Sequence, residues 1–122
     1  MPVTARQGLG RRGEELAARY LERQGLVILD RNVRFPVGEI DLVARDADDL
    51  VVVEVKTRVG DESTAPDEAI SPAKLARLEQ LAEAYVARLG IPDANWRIDV
   101  VAVVVARNGR VIRVDHLRGA FL

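Results

Sequence analysis

Residues 38–57 carry the sequence GEIDLVARDADDLVVVEVKT, and this stretch decides the fold. Two runs of alternating apolar residues, 39–44 and 50–57, flank an acidic segment and predict two antiparallel strands. A four-residue loop over 46–49 sets the register between them. Because side chains alternate across a strand, one face of this hairpin forms a continuous core surface. That face comprises Ile40, Leu42 and Ala44 against Val51, Val53 and Val55.

The other face of the predicted hairpin carries charge. Asp41 lies directly opposite Glu54, and Glu39 lies directly opposite Lys56. Two facing carboxylates repel, so we expect a cation between them. Mg²⁺ or Mn²⁺ suits the site because hard cations prefer oxygen ligands and retain water for a substrate phosphate, and the Val55 carbonyl would add a third oxygen. An ion-pair ladder, in which Lys56 neutralises Glu39 and Glu54, explains the same residues without a metal.

In the metal interpretation, Lys56 points at the same locus as the two carboxylates. Its ammonium would orient or deprotonate an attacking water, or stabilise the charge of a phosphorane-like transition state. Both interpretations depend on the register, because a slip of one residue would put these groups on opposite faces of the sheet.

The flanking sequence predicts the order α-β-β-β-α-β-β, an α/β fold with a mixed sheet and helices packed on it. The first helix runs from about Arg11 to Gln24 and stops at Gly25. The second has Ser71 as N-cap, Pro72 at its first position and Gly90 after its end. The remaining strands are predicted at 26–29 continuing through 32–35, at 96–106, and at 111–117, with the last two joined across Asn108-Gly109.

Two other features are given structural explanations. The pattern GxGxxG at 8–13 lacks the buried strand that a dinucleotide-binding fingerprint needs before its first glycine, so we reject that function. Asp99 is predicted to lie opposite Arg118, and this cross-strand ion pair would explain it without catalysis. His116 is predicted opposite Val101 as a partly exposed strand residue without a role.

The composition excludes several classes of protein. The 122 residues, 48% of them hydrophobic and 30% charged, suit one domain over 1–122. No apolar run is long enough for a membrane helix, and residues 1–6 lack the apolar core of a secretory signal. The absence of cysteine excludes disulfides and thiolate zinc sites and favours a cytoplasmic location. With one histidine, chemistry must depend on carboxylates, lysine and arginine.

Charge is unevenly distributed along the chain. The segments 1–34 and 107–122 are basic, whereas 46–68 is strongly acidic, and 16 of the 18 basic residues are arginine. Arginine suits bidentate contacts with phosphate. A codon bias acting on a solvated surface explains these counts. Binding of an anionic polymer by the two basic segments is the alternative explanation.

The chain resembles a known family. Gly38-Glu39-Ile40-Asp41 followed by Glu54-Val55-Lys56 is similar to the split carboxylate–carboxylate–lysine motif of restriction-endonuclease-like nucleases. Together with Gly10-x-x-Gly13-Glu14-x-x-Ala17, Gly25, Asn32 and Glu54-Val55-Lys56-Thr57-Arg58, it resembles the YraN-like family of small bacterial proteins, which are similar to archaeal Holliday-junction resolvases. Ile40 stands where a proline often precedes the first aspartate in that superfamily.

The resemblance implies a restriction-endonuclease-like fold and a divalent-metal-dependent endonuclease acting on DNA, with branched or junction DNA as a candidate substrate and a homodimer as a candidate assembly. Asp41 and Glu54 would bind the metal, and Glu14 would support its water shell from the first helix. A first-turn glutamate favoured by the helix dipole is the structural alternative for Glu14.

DNA contacts are expected from four basic residues: Arg11, Arg12, Arg58 and Lys74. They would hold the phosphate backbone without reading sequence. Lys74 occupies the first turn of a helix, where a cation opposes the dipole, and this favours a use such as phosphate contact; a surface lysine with its stem on apolar residues is the alternative. The rival function is a catalytically silent nucleic-acid-binding protein of the same fold.

Overall fold

A single five-stranded mixed sheet organises the chain. The computed structural model describes residues 5–119 and places the strands in the order β1-β2-β3-β4-β5. Strands β3 and β4 are parallel, and every other neighbouring pair is antiparallel. The strands are β1 (Val27–Phe35), β2 (Gly38–Asp46), β3 (Asp49–Val59), β4 (Trp96–Val105) and β5 (Val111–Leu117).

The two helices cover opposite faces of the sheet. Helix α1 (Ala5–Arg23) precedes β1, and helix α2 (Pro72–Arg88) lies in the crossover between β3 and β4. The core beneath α1 contains Ala17, Leu21, Leu42, Val51, Val53 and Val101, and the core beneath α2 contains Ile40, Val43, Val52, Leu78, Leu81 and Tyr85. The predicted mixed α/β class and element order are therefore confirmed.

The β2–β3 hairpin has the predicted register but a tighter turn. Leu42 pairs with Val53 and Asp46 pairs with Asp49, so Ala47 and Asp48 alone form the turn instead of the predicted four residues. Ala47 has a φ of 53°, a left-handed value that closes a two-residue hairpin turn.

The predicted alternation within β2 is wrong at Ile40. This side chain packs in the core beneath α2, whereas Leu42 and Ala44 pack beneath α1. The direction of the side chains therefore changes between Ile40 and Leu42. Asp41, the residue between them, lies where strict alternation ends.

Helix α1 begins earlier than the predicted start near Arg11. The pattern GxGxxG lies inside the helix, which agrees with the rejection of a phosphate-binding loop. Leu9 packs against the core beneath α1, and this burial offsets the poor helix propensity of the glycines. Residues 1–4, part of the segment expected to lack a secretory signal, lie outside the described residues, as do 120–122.

Helix α2 is bounded as predicted. The Ser71 hydroxyl accepts a hydrogen bond from the Lys74 backbone N–H at 3.1 Å, which is the expected N-cap contact. Gly90 follows the C-cap with a φ of 75°. In the described part of the chain, neither helix combines the length and the apolarity that a membrane-spanning segment requires.

Smaller differences concern the edges of the sheet. Strand β1 is continuous, and a bulge between Ile28 and Asp30 replaces the predicted interruption. In the β4–β5 hairpin, the predicted pairing of Val101 with His116 is confirmed. A register shift follows Val104, so the turn is longer than the two predicted residues.

Candidate functional site

The candidate site lies where β2 and β3 separate. Their described pairing ends at Leu42 and Val53, one position before the expected pair of Asp41 and Glu54. Asp41 Oδ2 instead accepts the backbone N–H of Val55 at 2.8 Å. The side-chain carboxylate of Asp41 thus accepts the hydrogen bond that a main-chain carbonyl of β2 would accept if the two strands remained paired. The direct Asp41–Glu54 pairing predicted from alternation is therefore wrong.

Asp41 has a strongly perturbed acidity. Burial, together with the charges of Glu54 and Glu14, raises the pKa of this carboxyl to about 7. The hydrogen bond from Val55 and the charge of Lys74 act in the opposite direction. A carboxyl group that is partly desolvated and surrounded by other carboxylates is a candidate functional group.

Two lysines form ion pairs with acidic residues at the site, and these pairs differ from those of the predicted ladder. Lys74 Nζ lies 3.2 Å from Glu54 Oε2, and the Glu54 side chain is only 12% exposed. Lys56 Nζ lies 3.5 Å from Asp67 Oδ2, on the segment that connects β3 to α2. The ladder in which Lys56 neutralises Glu39 and Glu54 is therefore wrong.

Glu39 and Glu14 meet at Asn32. The Asn32 side-chain amide donates to Glu14 Oε1 at 2.8 Å and to Glu39 Oε1 at 3.0 Å. Asn32 has a φ of 50°, a left-handed conformation that asparagine tolerates better than most residues. Glu39 therefore contacts a partner shared with α1, whereas Glu54 contacts Lys74 of α2. The prediction that Glu39, Asp41, Glu54 and Lys56 share one face is wrong for Glu39.

A polar cleft of about 370 Å³ adjoins this cluster. Its lining includes Arg11, one of the expected DNA contacts, together with Glu14, Asn32, Arg34 and Glu39. The cleft brings together groups from α1, β1 and β2, which are distant in sequence. Asn32 belongs to the residues that carry the family resemblance, but its position between two carboxylates is not predicted by the sequence pattern. Its only sequence signal is an asparagine within an otherwise strand-like segment.

The other expected DNA contacts are spread over the surface. Arg12 Nη2 donates to the Gly109 carbonyl at 3.4 Å, near the β4–β5 turn. Arg58 Nη1 donates to the Ala65 carbonyl at 3.1 Å. Lys74 is the one of these four residues that contacts a candidate metal ligand within the described chain.

A second buried network surrounds Asp99, which is fully buried. Its carboxylate accepts from Arg97 Nε at 3.0 Å and from the Gly119 backbone N–H at 2.8 Å, and it lies 2.8 Å from His116 Nε2. Arg118, the predicted partner of Asp99, pairs instead with Asp46. His116 is intermediate in burial, as predicted, but its side chain is only 5% exposed and contacts Asp99, a contact that the strand register did not predict. These partners hold the pKa of Asp99 below its usual value against the effect of burial.

Comparison with known proteins places the chain in a family. The profile described as "Uncharacterised protein family UPF0102" matches residues 13–103. The chain belongs to the UPF0102 family. A UPF0102 protein of Arthrobacter sp. is 53% identical over 117 residues, which cover 96% of this chain and 98% of the relative. A UPF0102 protein of Nocardioides sp. is 50% identical over 114 residues, which cover 93% and 91%.

UPF0102 membership confirms the predicted relationship to the YraN-like family. The matched segment contains Glu14, Asp41, Glu54, Lys56 and Lys74, and it begins just after Arg11 and Arg12.

The candidate site of this UPF0102 chain offers few protein ligands for a divalent cation. Within residues 5–119, no group of three or more His, Cys, Asp or Glu side chains is placed to hold a metal ion. Asp41 and Glu54 offer two carboxylates, and the Val55 carbonyl lies in the same strand segment. Mg²⁺ is commonly bound through one or two carboxylates while several waters complete its shell. The chemistry of these donors therefore fits a hard cation with few protein ligands.

Proposed function

We propose that this UPF0102 protein is a divalent-metal-dependent endonuclease that hydrolyses phosphodiester bonds in DNA. The observation that carries the proposal is the position of the Asp41 carboxylate, which lies where β2 and β3 separate and close to the charge of Glu54. Lys56 follows Glu54 by two residues on β3. A carboxyl group whose pKa is raised by burial and by neighbouring carboxylates is typical of a site that recruits a cation. The resemblance to restriction-endonuclease-like nucleases supports the same conclusion.

The residues divide into ligands and a charge-stabilising group. Asp41 and Glu54, with the Val55 carbonyl, would hold Mg²⁺ or Mn²⁺, which when bound supplies Lewis-acid activation of water and phosphate. Lys56 cannot be a ligand because an ammonium has no lone pair. Released from Asp67, it would stabilise negative charge on the phosphate or orient the attacking water. Glu14, held by Asn32, would position a water beside the metal.

The position of Arg11 suits backbone binding of DNA. Arg11 lines the polar cleft beside Glu14 and Asn32, so a phosphate bound by its guanidinium would lie near the carboxylates. Symmetric cleavage of both strands of a junction would require two copies of the site. We therefore propose branched DNA as the substrate and a homodimer as the assembly.

A specific observation favours the second candidate function, a silent nucleic-acid-binding protein. Lys74 and Lys56 already neutralise Glu54 and Asp67, so the charges are partly balanced without a metal. In that case the same surface would bind DNA without cleaving it.

The experiment is a panel of labelled linear, flap, junction and RNA substrates incubated with Mg²⁺ or Mn²⁺. We expect cleavage of DNA by the wild type and none by the Asp41→Ala variant or with excess EDTA. Isothermal titration calorimetry with Mn²⁺ separates the two candidate functions. Binding of DNA without cleavage and without any uptake of Mn²⁺ would establish the silent binder.

A Lys56→Met variant tests the division of roles. Because Lys56 is not a ligand, this variant should bind Mn²⁺ and DNA as the wild type does while losing about 10²–10³ in cleavage rate. Arg11→Met is the matched control, and it should weaken DNA binding and reduce its salt dependence. Wild-type cleavage by Lys56→Met at saturating DNA and metal would overturn the assignment of this motif as a nuclease centre.

A further inference from the structure

Lys74 occupies an electrostatically unfavourable position in its own helix. It lies three residues after the N-cap Ser71, in the first turn of α2, where exposed backbone N–H groups repel a cation. The first turn of α2 contains no acidic residue that could offset this repulsion. Lys74 Nζ instead contacts Glu54 Oε2 at 3.2 Å, on a different element of the fold.

The Lys74 ammonium also acts on the second candidate ligand. Its charge is felt by Asp41, together with the charges of Glu54 and Glu14. One monovalent cation therefore serves the carboxylates that the proposed function assigns to a divalent ion. The Glu54 side chain is 12% exposed and Lys74 is 35% exposed, so the carboxylate is sheltered while the lysine retains a path to solvent.

We infer that Lys74 is an internal counter-cation that occupies Glu54 in the metal-free protein and is displaced when a divalent ion binds. The inference rests on the proposed function, because it assumes that Asp41 and Glu54 are metal ligands. The displaced ammonium lies on a four-carbon stem next to the site and becomes free to contact a DNA phosphate. Metal binding would thereby precede and strengthen DNA binding.

This exchange has a consequence for affinity that differs from an ordinary supporting role. A residue that helps to build a metal site weakens metal binding when it is removed. A competing cation does the opposite, because the divalent ion no longer has to displace it. Coulomb attraction over a few ångströms near a protein surface is large enough for removal of Lys74 to tighten Mn²⁺ binding by about tenfold or more.

The test is Mn²⁺ titration calorimetry, without DNA and at low ionic strength, on wild type, Lys74→Met and two controls. Lys74→Arg keeps the charge and should bind Mn²⁺ no more tightly than the wild type, because a guanidinium pairs with a carboxylate at least as well as an ammonium does. Arg77→Met removes a positive charge from the next turn of α2, without contact to Glu54, and should change the affinity by less than about threefold. Lys74→Met should bind Mn²⁺ at least about tenfold more tightly than either control.

Thermal melting gives a second readout that does not depend on cleavage. Without metal, Lys74→Met should melt at a lower temperature than wild type, because Glu54 loses its counter-ion, and Mn²⁺ should raise its melting temperature more than that of wild type. If the metal-free variant is unfolded, the Mn²⁺ concentration that restores folding gives an upper limit on the dissociation constant of the folded variant.

The outcomes separate the inference from the proposed function. Equal or weaker Mn²⁺ binding by Lys74→Met, with binding retained by wild type, overturns the exchange and leaves the nuclease proposal standing. Absence of Mn²⁺ binding in every variant overturns both. Tighter binding by Lys74→Met alone supports the exchange.

Discussion

Asp41 and Asp99 are two acids of the same sheet, and their surroundings shift their pKa values in opposite directions. Asp99 is enclosed by Arg97, His116 and the Gly119 N–H, which lower its pKa. Asp41 accepts the Val55 N–H, but burial and the charges of Glu54 and Glu14 raise its pKa to about 7. Burial penalises both charges, so the difference is due to the neighbours.

The comparison indicates how a structural acid differs from a functional one. Asp99 is satisfied within the described fold, so its charge needs no ligand. The charge of Asp41 is stabilised poorly by the protein alone and would be stabilised well by an added cation. Four predictions test this distinction, and they follow from the largest expected effect to the smallest.

The largest effect is expected for Asp99→Ala. This change leaves Arg97 and His116 in a buried site without their shared acceptor, and breaking such a pair costs about 3–5 kcal/mol of the free energy of unfolding. Urea unfolding of the metal-free variant measures the loss. A loss below about 1 kcal/mol would contradict a structural role for Asp99. So would a folded Asp99→Asn variant that no longer binds Mn²⁺.

Gly13→Ala is expected to disturb both regions through α1. A Cβ at position 13 would overlap the Thr57 side chain, so α1 must shift away from β3, at a cost of about 1–3 kcal/mol. Glu14 follows directly, and Tyr20 of the same helix packs edge-on against His116 at 6.3 Å. Chemical denaturation measures the loss.

Gly10→Ala provides the matched control for this helix. A Cβ at position 10 meets nothing within 4 Å, so the change should be neutral or stabilise the fold by up to about 1 kcal/mol. Equal effects of the two alanine substitutions would show that close packing of α1 on β3 is not what requires glycine at position 13.

Asp41→Asn is expected to stabilise the metal-free protein at neutral and alkaline pH. The raised pKa means that folded Asp41 binds its proton more tightly than the unfolded chain does, so wild-type stability falls as pH rises from about 4 to about 7. The variant lacks this dependence and should be more stable by about 1–2 kcal/mol at pH 8. Thermal unfolding from pH 5 to 8, compared between the two proteins, measures it. If the stability of the variant fell more steeply with pH than that of the wild type, the raised pKa assigned to Asp41 would be contradicted.

The smallest effect is expected for Arg118→Ala. Arg118 is half exposed and lies 3.4 Å from Asp46, so its removal should cost less than about 0.5 kcal/mol. A loss as large as that of Asp99→Ala would restore Arg118 as the partner of Asp99, as the strand register alone predicted. Parallel urea titrations of the two variants decide this.

The sequence determines the sheet and helices through signals that are local. Alternation from residue 42 onward, the Ser71-Pro72 helix start and the pairing of the last two strands all depend on neighbouring residues, and each was predictable. The start of α1 was missed because glycines at 8 and 10 weaken the helical pattern, while burial of Leu9 is a tertiary effect.

The candidate site was predictable in its members and not in its contacts. Asp41, Glu54 and Lys56 follow from a strand pattern and a family resemblance. Their partners Lys74 and Asp67 come from the connection after β3, and Asn32 comes from β1. No periodicity encodes which of two lysines meets which acid, because that depends on how a crossover packs against the sheet. The change of side-chain direction at Ile40 arises in the same way.

The parallel pairing of β3 with β4 also has a consequence for how the protein folds. The β2–β3 hairpin closes through a two-residue turn, whereas β3 meets β4 only after the α2 crossover is in place. Local contacts form faster than distant ones because they lose less chain entropy on closure. Asp41 and Glu54 are therefore brought together early, and Lys74 reaches them late. During that interval the nascent hairpin carries unbalanced negative charge. Added salt or divalent cation should therefore increase the folding rate of the protein more than its unfolding rate.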